Sequence, residues 1–352
     1  MSAAVGARAS ERGLPVAVAL LGTYILFCLV VFAYGESPRA MVAELVAGTW
    51  GSAYGAGQVL FKATPLLFAG VAVDVALRAG LFNVGAEGQI AVASLAAATV
   101  GARLAPGTPR PLALLAVLGA ALVVGALWAA PPALLRARAG VHEVLTTVVQ
   151  NRVADSLLSL ALASGLALPG TTRTKDIVPA ASLPRLEALA PALRGSSVSV
   201  AFLLAVAAAV LADVGFRRTR LRELWLVGQN PAACAAVGVP VKLRVAQALL
   251  LSGAIAGLTS TATVLGYKGY FELGLGAGAG FGGIAVAILG RGHALGLVGA
   301  ALFFGTLEQG GLAVNAHVPR EIMTVLEGVA IVLVAVADRA IVAPRSASSG
   351  RP

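Results

Sequence analysis

The chain has 352 residues, of which 58% are hydrophobic and 12% charged. Soluble domains carry about 25% charged residues, so this composition argues against a soluble protein and predicts an all-α polytopic membrane protein. The formal net charge of +10 fits positive cytoplasmic loops better than nucleic-acid binding, for which the sequence offers neither a soluble basic domain nor an aromatic platform. The two cysteines, Cys28 and Cys234, fall in a predicted span and a predicted cytoplasmic loop, so no disulfide framework is expected.

Ten apolar segments are predicted to cross the membrane as helices, because most of them match the length that the bilayer core requires. They are centred on Pro15–Tyr34, Val59–Leu77, Ala86–Leu104, Pro111–Leu135, Val141–Gly165, Val198–Phe216, Val245–Tyr267, Ala277–Gly290, Ala294–Val314 and Glu321–Ala340. After the first of them, Met41–Tyr54 is predicted to be an interfacial helix, with Trp50 and Tyr54 at the depth of the lipid headgroups.

The even number of spans places both termini on one side, and the larger share of the lysines and arginines predicts that this side is the cytoplasm. The predicted organisation is a cytoplasmic tail at 1–14, a transmembrane domain at 15–340 and a second cytoplasmic tail at 341–352. Within the domain, 166–197 is predicted to be a long external loop and 217–244 a basic cytoplasmic loop.

Three short sequence matches recur in the same order in the two halves of the chain. Ile90–Ala93 matches Ile284–Ala287, Leu118–Trp128 matches Val298–Glu308, and Glu143–Val149 matches Glu321–Glu327. The copies begin at the third and the eighth predicted span, an odd number of spans apart, so the halves would face opposite ways. The matches predict an inverted repeat, which many transporters have; chance similarity in Ala/Gly/Leu-rich sequence is the alternative.

The cytoplasmic loop contains a short helix with clear start and stop signals. Asn230 is a good N-cap, Pro231 suits the first helical position, Gly238 suits a left-handed stop, and Pro240 blocks continuation. A helix of about two turns is too short to be stable alone in water, so it must rest on the chain itself or on a partner. The P-loop pattern G-x-x-x-x-G-K-[ST] is absent from the sequence, so any ATP hydrolysis would need a separate polypeptide.

Polar residues between the second and third spans are candidates for the translocation path. Asn83, Glu87 and Gln89 lie among glycines that permit irregular backbone, and polar groups at membrane depth persist where they line a cavity or are paired. The alternative is a cytoplasmic turn whose polar groups cap the next helix. In the second span, Lys62 is predicted to reach the outer surface, whereas Asp74 lies one turn from Arg78 and is predicted to pair with it.

The fifth span carries a polar stripe, and the span that matches it in the repeat carries two further candidates. The path candidates in these two spans are Thr146, Gln150, Asn151, Glu308 and Gln309. A polar stripe usually faces a bundle interior or a watered path, and interhelical hydrogen bonding is the alternative. Next to this stripe, Arg152 and Asp155 are three residues apart and are expected to neutralise each other.

The sequence predicts no catalytic or metal site. The pattern G-x-G-x-x-G at Gly278–Gly283 has no strand before it, so a dinucleotide site is not predicted. Its glycines at helical spacing, Gly276 with Gly280 and Gly278 with Gly282, are predicted to form a close-packing helix face, as are Gly253 and Gly257. His142, His293 and His317 are scattered and lack metal-ligand spacing. No cofactor is therefore expected on this chain.

Four stretches together resemble the permeases of bacterial ABC importers for ribose-type sugars, branched-chain amino acids and nucleosides. They read LFKATPLLFAGVAVDVALRAGLFNVGAEGQ, GVHEVLTTVVQN, ELWLVGQNPAACAAVGV and GIAVAILGRGHALGLVGAALFFG. The resemblance covers Val59 to Ala340, and the motifs at Arg78–Gln89 and Gly283–His293 are most similar to the nucleoside-uptake branch.

The resemblance implies that Gln229–Gly238 is a coupling helix that fits a cleft on an ATPase subunit. The residues that it assigns to this coupling are Arg222, Glu223, Gly228, Gln229, Asn230, Pro231, Ala232, Ala233 and Gly238. Sugar permeases of this group have Asn-Glu-Ala-Ala here, whereas this chain has Pro231 in place of the acid, for which Arg222 or Glu223 would have to compensate. The implied partners are an ATPase that binds ATP and magnesium, an extracytoplasmic substrate-binding lipoprotein, a second permease and the lipid of the bacterial inner membrane.

The sequence therefore predicts the permease subunit of an ATP-driven importer for a small polar solute, with nucleosides favoured over ribose-type sugars and branched-chain amino acids. Two other classes stay open. An ion-coupled secondary transporter would depend on a membrane carboxylate such as Asp155 or Glu308, and a membrane enzyme would need a convergent catalytic set.

Overall fold

A computed structural model describes residues 2–218, 221–319 and 321–341. Within these ranges all secondary-structure elements longer than an isolated bridge are helical. The α-helices are α1 (Ser2–Ala33), α2 (Pro38–Gly48), α3 (Ala53–Arg78), α4 (Ala86–Arg103), α5 (Arg110–Ala139), α6 (Glu143–Ala161), α7 (Ala201–Arg218), α8 (Leu221–Gln229), α9 (Pro231–Ala236), α10 (Val241–Gly257), α11 (Ala279–Gly290), α12 (Ala294–Ala313) and α13 (Glu321–Ile341). Two π-helical segments, Leu162–Leu166 and Thr261–Lys268, follow α6 and α10. The predicted all-α fold is confirmed for the described ranges.

Within the described ranges, four helices are long and apolar enough to cross a membrane: α3, α5, α10 with its continuation to Lys268, and α12. A fifth crossing is added if the end of α1 and the whole of α2, which are bent by 116° relative to each other, count as one broken span. The apolar helices indicate a polytopic membrane protein. The remaining predicted spans coincide with helices that are shorter or more polar.

The N-terminal region differs from the prediction in two places. The first helix begins at Ser2 and not at Pro15, so the predicted tail is helical. The predicted interfacial helix Met41–Tyr54 is also interrupted, because α2 ends at Gly48 and α3 starts at Ala53 with Ser52 as its N-cap. At the other terminus, the predicted tail lies outside the described residues beyond position 341.

The helix α3 lies at the centre of the bundle, where it packs against α7, α10, α11 and α12. The helix α10 in turn packs closely on α5, and glycines permit this approach. A Cβ atom added to Gly253 would lie 2.5 Å from the Gly125 carbonyl oxygen, and one added to Gly257 would meet the carbonyl of Ala121. The sequence correctly predicts Gly253 and Gly257 as a close-packing face.

Glycines in front of α11 have a different role from the predicted one. The sequence suggests a helical packing face that includes Gly276 and Gly278, but both residues have positive φ angles, of 81° and 86°. They lie in an irregular turn before the helix starts at Ala279. Glycine tolerates this left-handed conformation without the steric penalty of other residues.

Candidate translocation cavity and coupling surface

A cavity of about 810 Å³ opens between α3, the π-helical segment after α10, and helices α11, α12 and α13. Its charged lining residues are Lys62, Glu308, Glu321 and Glu327, and its aromatic lining residues are Phe61, Tyr267 and Phe281. This volume lies within the range of small-molecule sites. Because the lining comes from the ends of helices that the predicted topology places outside, we call it the outer cavity.

An ion pair and an aromatic pair organise one wall of the outer cavity. The Lys62 ammonium lies 3.9 Å from the Glu308 carboxylate, and the rings of Phe61 and Tyr267 are 4.7 Å apart at their centroids. The sequence predicts Glu308 as a path residue, and this residue does line the cavity. Its neighbour Gln309 is not among the lining residues.

Two of the predicted path residues around the start of α4, Asn83 and Gln89, form interhelical contacts. Asn83 donates from its amide nitrogen to Gln89 and to Ser252 of α10, both at 2.8 Å, and Gln89 donates back to Asn83 at 3.2 Å. Ser252 donates to the carbonyl of Ala72 in α3 at 2.6 Å. All these side chains are fully buried. Asn83 and Gln89 therefore connect α3, α4 and α10 and do not line the cavity.

The predicted path residues of α6 also bond to neighbouring backbone. Asn151 accepts from the Gly88 amide and donates to the Val84 carbonyl, both at 3.0 Å. Gln150 donates to the carbonyl of Trp128, and Thr146 donates to a carbonyl one turn back in its own helix. These three side chains are not among the lining residues of the outer cavity, since α6 packs on α4 and α5, and their part in the path stays a prediction.

Glu87 binds the backbone of a segment that lines the outer cavity. Its carboxylate accepts the backbone N–H groups of Gly278 and Gly280, at 2.5 Å and 2.8 Å, at the start of α11. Gly278 lines the outer cavity. Glu87 therefore supports the glycine-rich wall of the cavity from the side of α4.

On the side that is predicted to be cytoplasmic, α8 and α9 are consecutive helices joined at Asn230. The sequence predicts α9 but not α8, whose apolar residues Leu224 and Val227 are buried. Gly228 packs on the end of α3, since an added Cβ would lie 2.7 Å from the Gly80 nitrogen. The Glu223 carboxylate pairs with Arg244 at 2.6 Å. Of the predicted coupling residues, Gly228 and Glu223 therefore contact the chain itself.

The caps predicted for α9 are confirmed. The Asn230 side chain accepts the Ala233 amide at 3.0 Å, and Gly238 has a φ of 84°. The Val239 amide donates to the Cys234 carbonyl, and the Gly238 amide donates to that of Ala235, both at 3.0 Å, which is the Schellman arrangement.

The outward surface of α9 is available for a partner. Among its residues Cys234 alone is buried. Arg222, Gln229, Asn230, Pro231, Ala232, Ala233 and Gly238, all predicted to take part in coupling, are exposed. A capped, rigid helix of six residues that shows most of its surface is suited to insertion into a cleft.

A charged cluster lies next to α8, where the C-terminal ends of α3, α7 and α11 come together. Arg78 contacts Asp74 at 2.7 Å and Asp213 at 3.4 Å, and Arg217 contacts Asp213 at 3.0 Å. The guanidinium of Arg78 also stacks 4.7 Å from the ring centroid of Phe216. The predicted pair of Asp74 with Arg78 is confirmed. The part played by α7, through Asp213 and Arg217, is not anticipated by the sequence.

An apolar helical bundle with a polar cavity near one end and a capped, exposed helix near the other is typical of a multi-pass membrane transport protein. The chain belongs to the family described as "branched-chain amino acid transport system / permease component", whose model matches residues 55–335. It is the permease of an ABC importer.

Several characterised relatives are similar along most of their length. The chain is 34% identical to the glucose ABC transporter permease protein TsgB13 of Haloferax volcanii, over 88% of the chain and 86% of the relative. It is also 34% identical to the guanosine ABC transporter permease protein NupP of Bacillus subtilis, over 87% and 88%. The nucleoside ABC transporter permease protein NupB of Lactococcus lactis is 28% identical over 91% and 89%. No solved structure matches the chain.

Proposed function

We propose that the chain forms the membrane path of an ATP-driven importer for nucleosides. The observation that carries the choice of solute is the similarity to NupP and NupB over most of their length, since their names specify guanosine and nucleosides. The outer cavity is compatible with such a solute, because aromatic rings can stack on a base and carboxylates can accept hydrogen bonds from hydroxyl and amino groups. A sugar is the second candidate, since the similarity to the glucose permease is as high.

Membership of the family favours an ABC importer over an ion-coupled transporter. That alternative needs a carboxylate such as Asp155 or Glu308. Asp155 pairs with Arg152 at 3.7 Å on an exposed helix surface, and Glu308 lies 3.9 Å from Lys62. The energy would come from a separate ATPase that binds ATP and magnesium and docks on α9. ATP would then favour one arrangement of the permeases over another, and the solute would cross by alternating access.

We further propose the ten-span topology with an inverted repeat and both termini in the cytoplasm. The packing supports this arrangement, because α3 packs on α11 and α12 as α10 packs on α4 and α5. Gly125 and Gly305 occupy equivalent positions in the matched segments Leu118–Trp128 and Val298–Glu308. An added Cβ on Gly125 would meet α10 at Gly253, and one on Gly305 would meet α3 at Val59.

The surface of α6 supports a second permease as partner. Arg152 and Asp155, in the middle of this predicted span, are 87% and 66% exposed, and Ser156 and Ser159 next to them are exposed as well. Charges facing lipid are costly, and charged residues in spans usually face protein or water. A second permease of the same fold would cover this surface. An extracytoplasmic binding protein and location in a bacterial inner membrane complete the proposal.

The choice of solute is tested by uptake into cells with and without this gene. Labelled guanosine, ribose, glucose and leucine are supplied separately at the same concentration. We expect guanosine uptake to fall to background in the deletion strain while the other three stay within about twofold of wild type, since discrimination by a polar site exceeds tenfold. If guanosine uptake stays constant and the uptake of a sugar is lost, the chain is a sugar permease and the nucleoside assignment is wrong.

The partner surface is tested by a photo-crosslinking amino acid placed at Ser156 in membranes that contain the complete transporter. We expect a covalent product with a second permease, because Ser156 shares the exposed surface of α6 with Arg152. Leu127 of α5, which is 64% exposed on an apolar helix, provides the matched control and should react with lipid. A permease adduct from position 127 and none from 156 would contradict the assignment.

A further inference from the structure

The wall of the outer cavity where α11 begins has the features of an anion site. The turn before the helix uses positive φ angles at Gly274, Gly276 and Gly278 and lines the cavity from position 275 to Ala279. The first backbone N–H groups of a helix have no partners within the helix, and the N-terminus carries a partial positive charge. A phosphate or carboxylate in the cavity would normally be attracted to such a position.

In this chain the position is already filled by a side chain of the protein. Glu87 reaches across from α4, and its two carboxylate oxygens accept the N–H groups of Gly278 and Gly280. The two helices touch here, because a Cβ added to Gly280 would lie 2.6 Å from the Glu87 Cα. A carboxylate that accepts two backbone N–H groups neutralises the helix terminus and leaves those donors unavailable to a solute.

The other charges of the cavity act in the same direction. Among the lining residues that the structure describes, Glu308, Glu321 and Glu327 are acidic and Lys62 is the cation. Lys62 lies 3.9 Å from Glu308, so its charge is partly balanced locally. A solute with a phosphate or carboxylate would therefore meet a net negative field at this wall, where the N–H groups of Gly278 and Gly280 are already occupied.

We propose that Glu87 is a specificity-determining residue that makes the outer cavity reject anionic solutes. Its carboxylate takes the place that a solute anion would occupy at the start of α11. The cavity then accepts uncharged nucleosides and rejects their phosphorylated forms and solutes that carry a carboxylate. The solute class in this statement rests on the proposed function, whereas the role of Glu87 in charge selection is independent of whether the uncharged solute is a nucleoside or a sugar.

The experiment measures equilibrium binding to the complete membrane complex in lipid nanodiscs without the binding protein, which would impose its own selectivity. Two matched pairs of probes are used, guanosine with guanosine 5′-monophosphate and glucose with glucose 6-phosphate. For the wild-type chain, we expect one of the uncharged probes to bind and its phosphorylated partner to bind with a Kd at least about tenfold higher. The measured quantity is the ratio of these two Kd values. In Glu87→Ala this ratio should fall by about tenfold or more, because two N–H donors are freed for a phosphate and a repelling charge is removed.

Two further variants make the result specific. Glu87→Gln removes the charge but keeps one acceptor for the glycine wall, so it should shift the ratio in the same direction even if the alanine variant folds poorly. Glu143→Ala is the matched control: Glu143 is a buried carboxylate that accepts the Phe82 amide at 3.0 Å and pairs with Arg136 at 3.2 Å, away from the cavity. It should leave the ratio unchanged.

Each outcome decides a separate statement. An unchanged ratio in Glu87→Ala and Glu87→Gln, or an equal weakening of charged and uncharged probes, overturns the role of Glu87. Binding of glucose without binding of guanosine overturns the nucleoside assignment, and the glucose pair then still decides whether Glu87 selects by charge. Tight binding of either phosphorylated probe to the wild-type complex overturns the inference directly.

Discussion

Replacing Ala233 by glutamate is expected to lower solute uptake about 100-fold or more, because an unpaired charge buried in a protein interface costs about 3–5 kcal/mol and each 1.4 kcal/mol is a factor of ten. Ala233 is exposed and lies three residues after the N-cap Asn230. Glutamate at that position stabilises a helix, since it lies near the positive end and can complete a capping box. The substitution therefore adds a charge to the docking surface without weakening α9.

The measurements are uptake in cells, co-purification of the ATPase with the permease, and the melting temperature of the purified permease. Uptake and co-purification should be lost while the melting temperature stays within about 2 °C of wild type, because exposed substitutions rarely change stability. Ala139→Glu is the control, since Ala139 is exposed at the end of α5 on the same predicted side. Normal uptake in the Ala233 variant, or an equal loss in both variants, would contradict docking at α9.

Features that depend on local chemistry could be predicted from the sequence. The ends of α9 follow from Asn230, Pro231 and Gly238, each of which acts within one turn of its own position. The pair of Asp74 and Arg78 follows from a spacing of four residues. The helix α8 was missed because its basic residues resemble a solvated charge run. Its signal is the spacing of Leu224 and Val227, both of which are buried.

The cavity could be predicted only in part, since its lining residues come from distant parts of the chain. Lys62 and Glu308 are 246 positions apart by their residue numbers yet 3.9 Å apart in space. A polar residue in a span has the same sequence signature whether it lines water or bonds to a neighbouring helix. For that reason the sequence cannot distinguish the two roles for Gln150 and Asn151, which bond to the backbone of neighbouring segments.

The two matched segments differ at one position that bears on the cavity. Aligning Leu118–Trp128 with Val298–Glu308 places Trp128 opposite Glu308. In the second half the acid lines the cavity, whereas in the first half the indole nitrogen lies 3.2 Å from where a Cβ on Gly88 would be. At the matched position, the first half therefore has a large aromatic side chain against α4, whereas the second half has a carboxylate at the cavity.

Two helices connect the outer cavity with the charged cluster near α8. Along α3, Lys62 and Asp74 are twelve positions apart, which corresponds to about 18 Å at 1.5 Å per residue. The helix α11 begins at the glycine wall and ends beside the cluster. If an ATPase docked on α9 displaced α8, which contacts both α9 and α3, continuous helices and not loops would carry the movement to the cavity. The stability of the cluster accordingly matters for coupling.

Replacing Arg78 by methionine is expected to destabilise the permease by about 3–5 kcal/mol, because it leaves a buried charge without its partner. Asp74 is 2% exposed and its carboxylate accepts from Arg78 at 2.7 Å. Asp213 and the ring of Phe216 lose their contacts with the same guanidinium. Methionine retains much of the length of the side chain, so the loss measures the charge more than the packing.

Two comparisons make this prediction specific, with unfolding of the purified permease followed by temperature and by denaturant. The double variant Asp74→Asn with Arg78→Met should be more stable than Arg78→Met alone, because the unpaired carboxylate is removed. Arg217→Met removes the other cation beside Asp213, but its side chain is 60% exposed. An exposed pair contributes about 0–1 kcal/mol, so this variant should stay close to wild type. Equal losses in the two arginine variants, or no recovery in the double variant, would show that Arg78 does not stabilise the cluster by its charge.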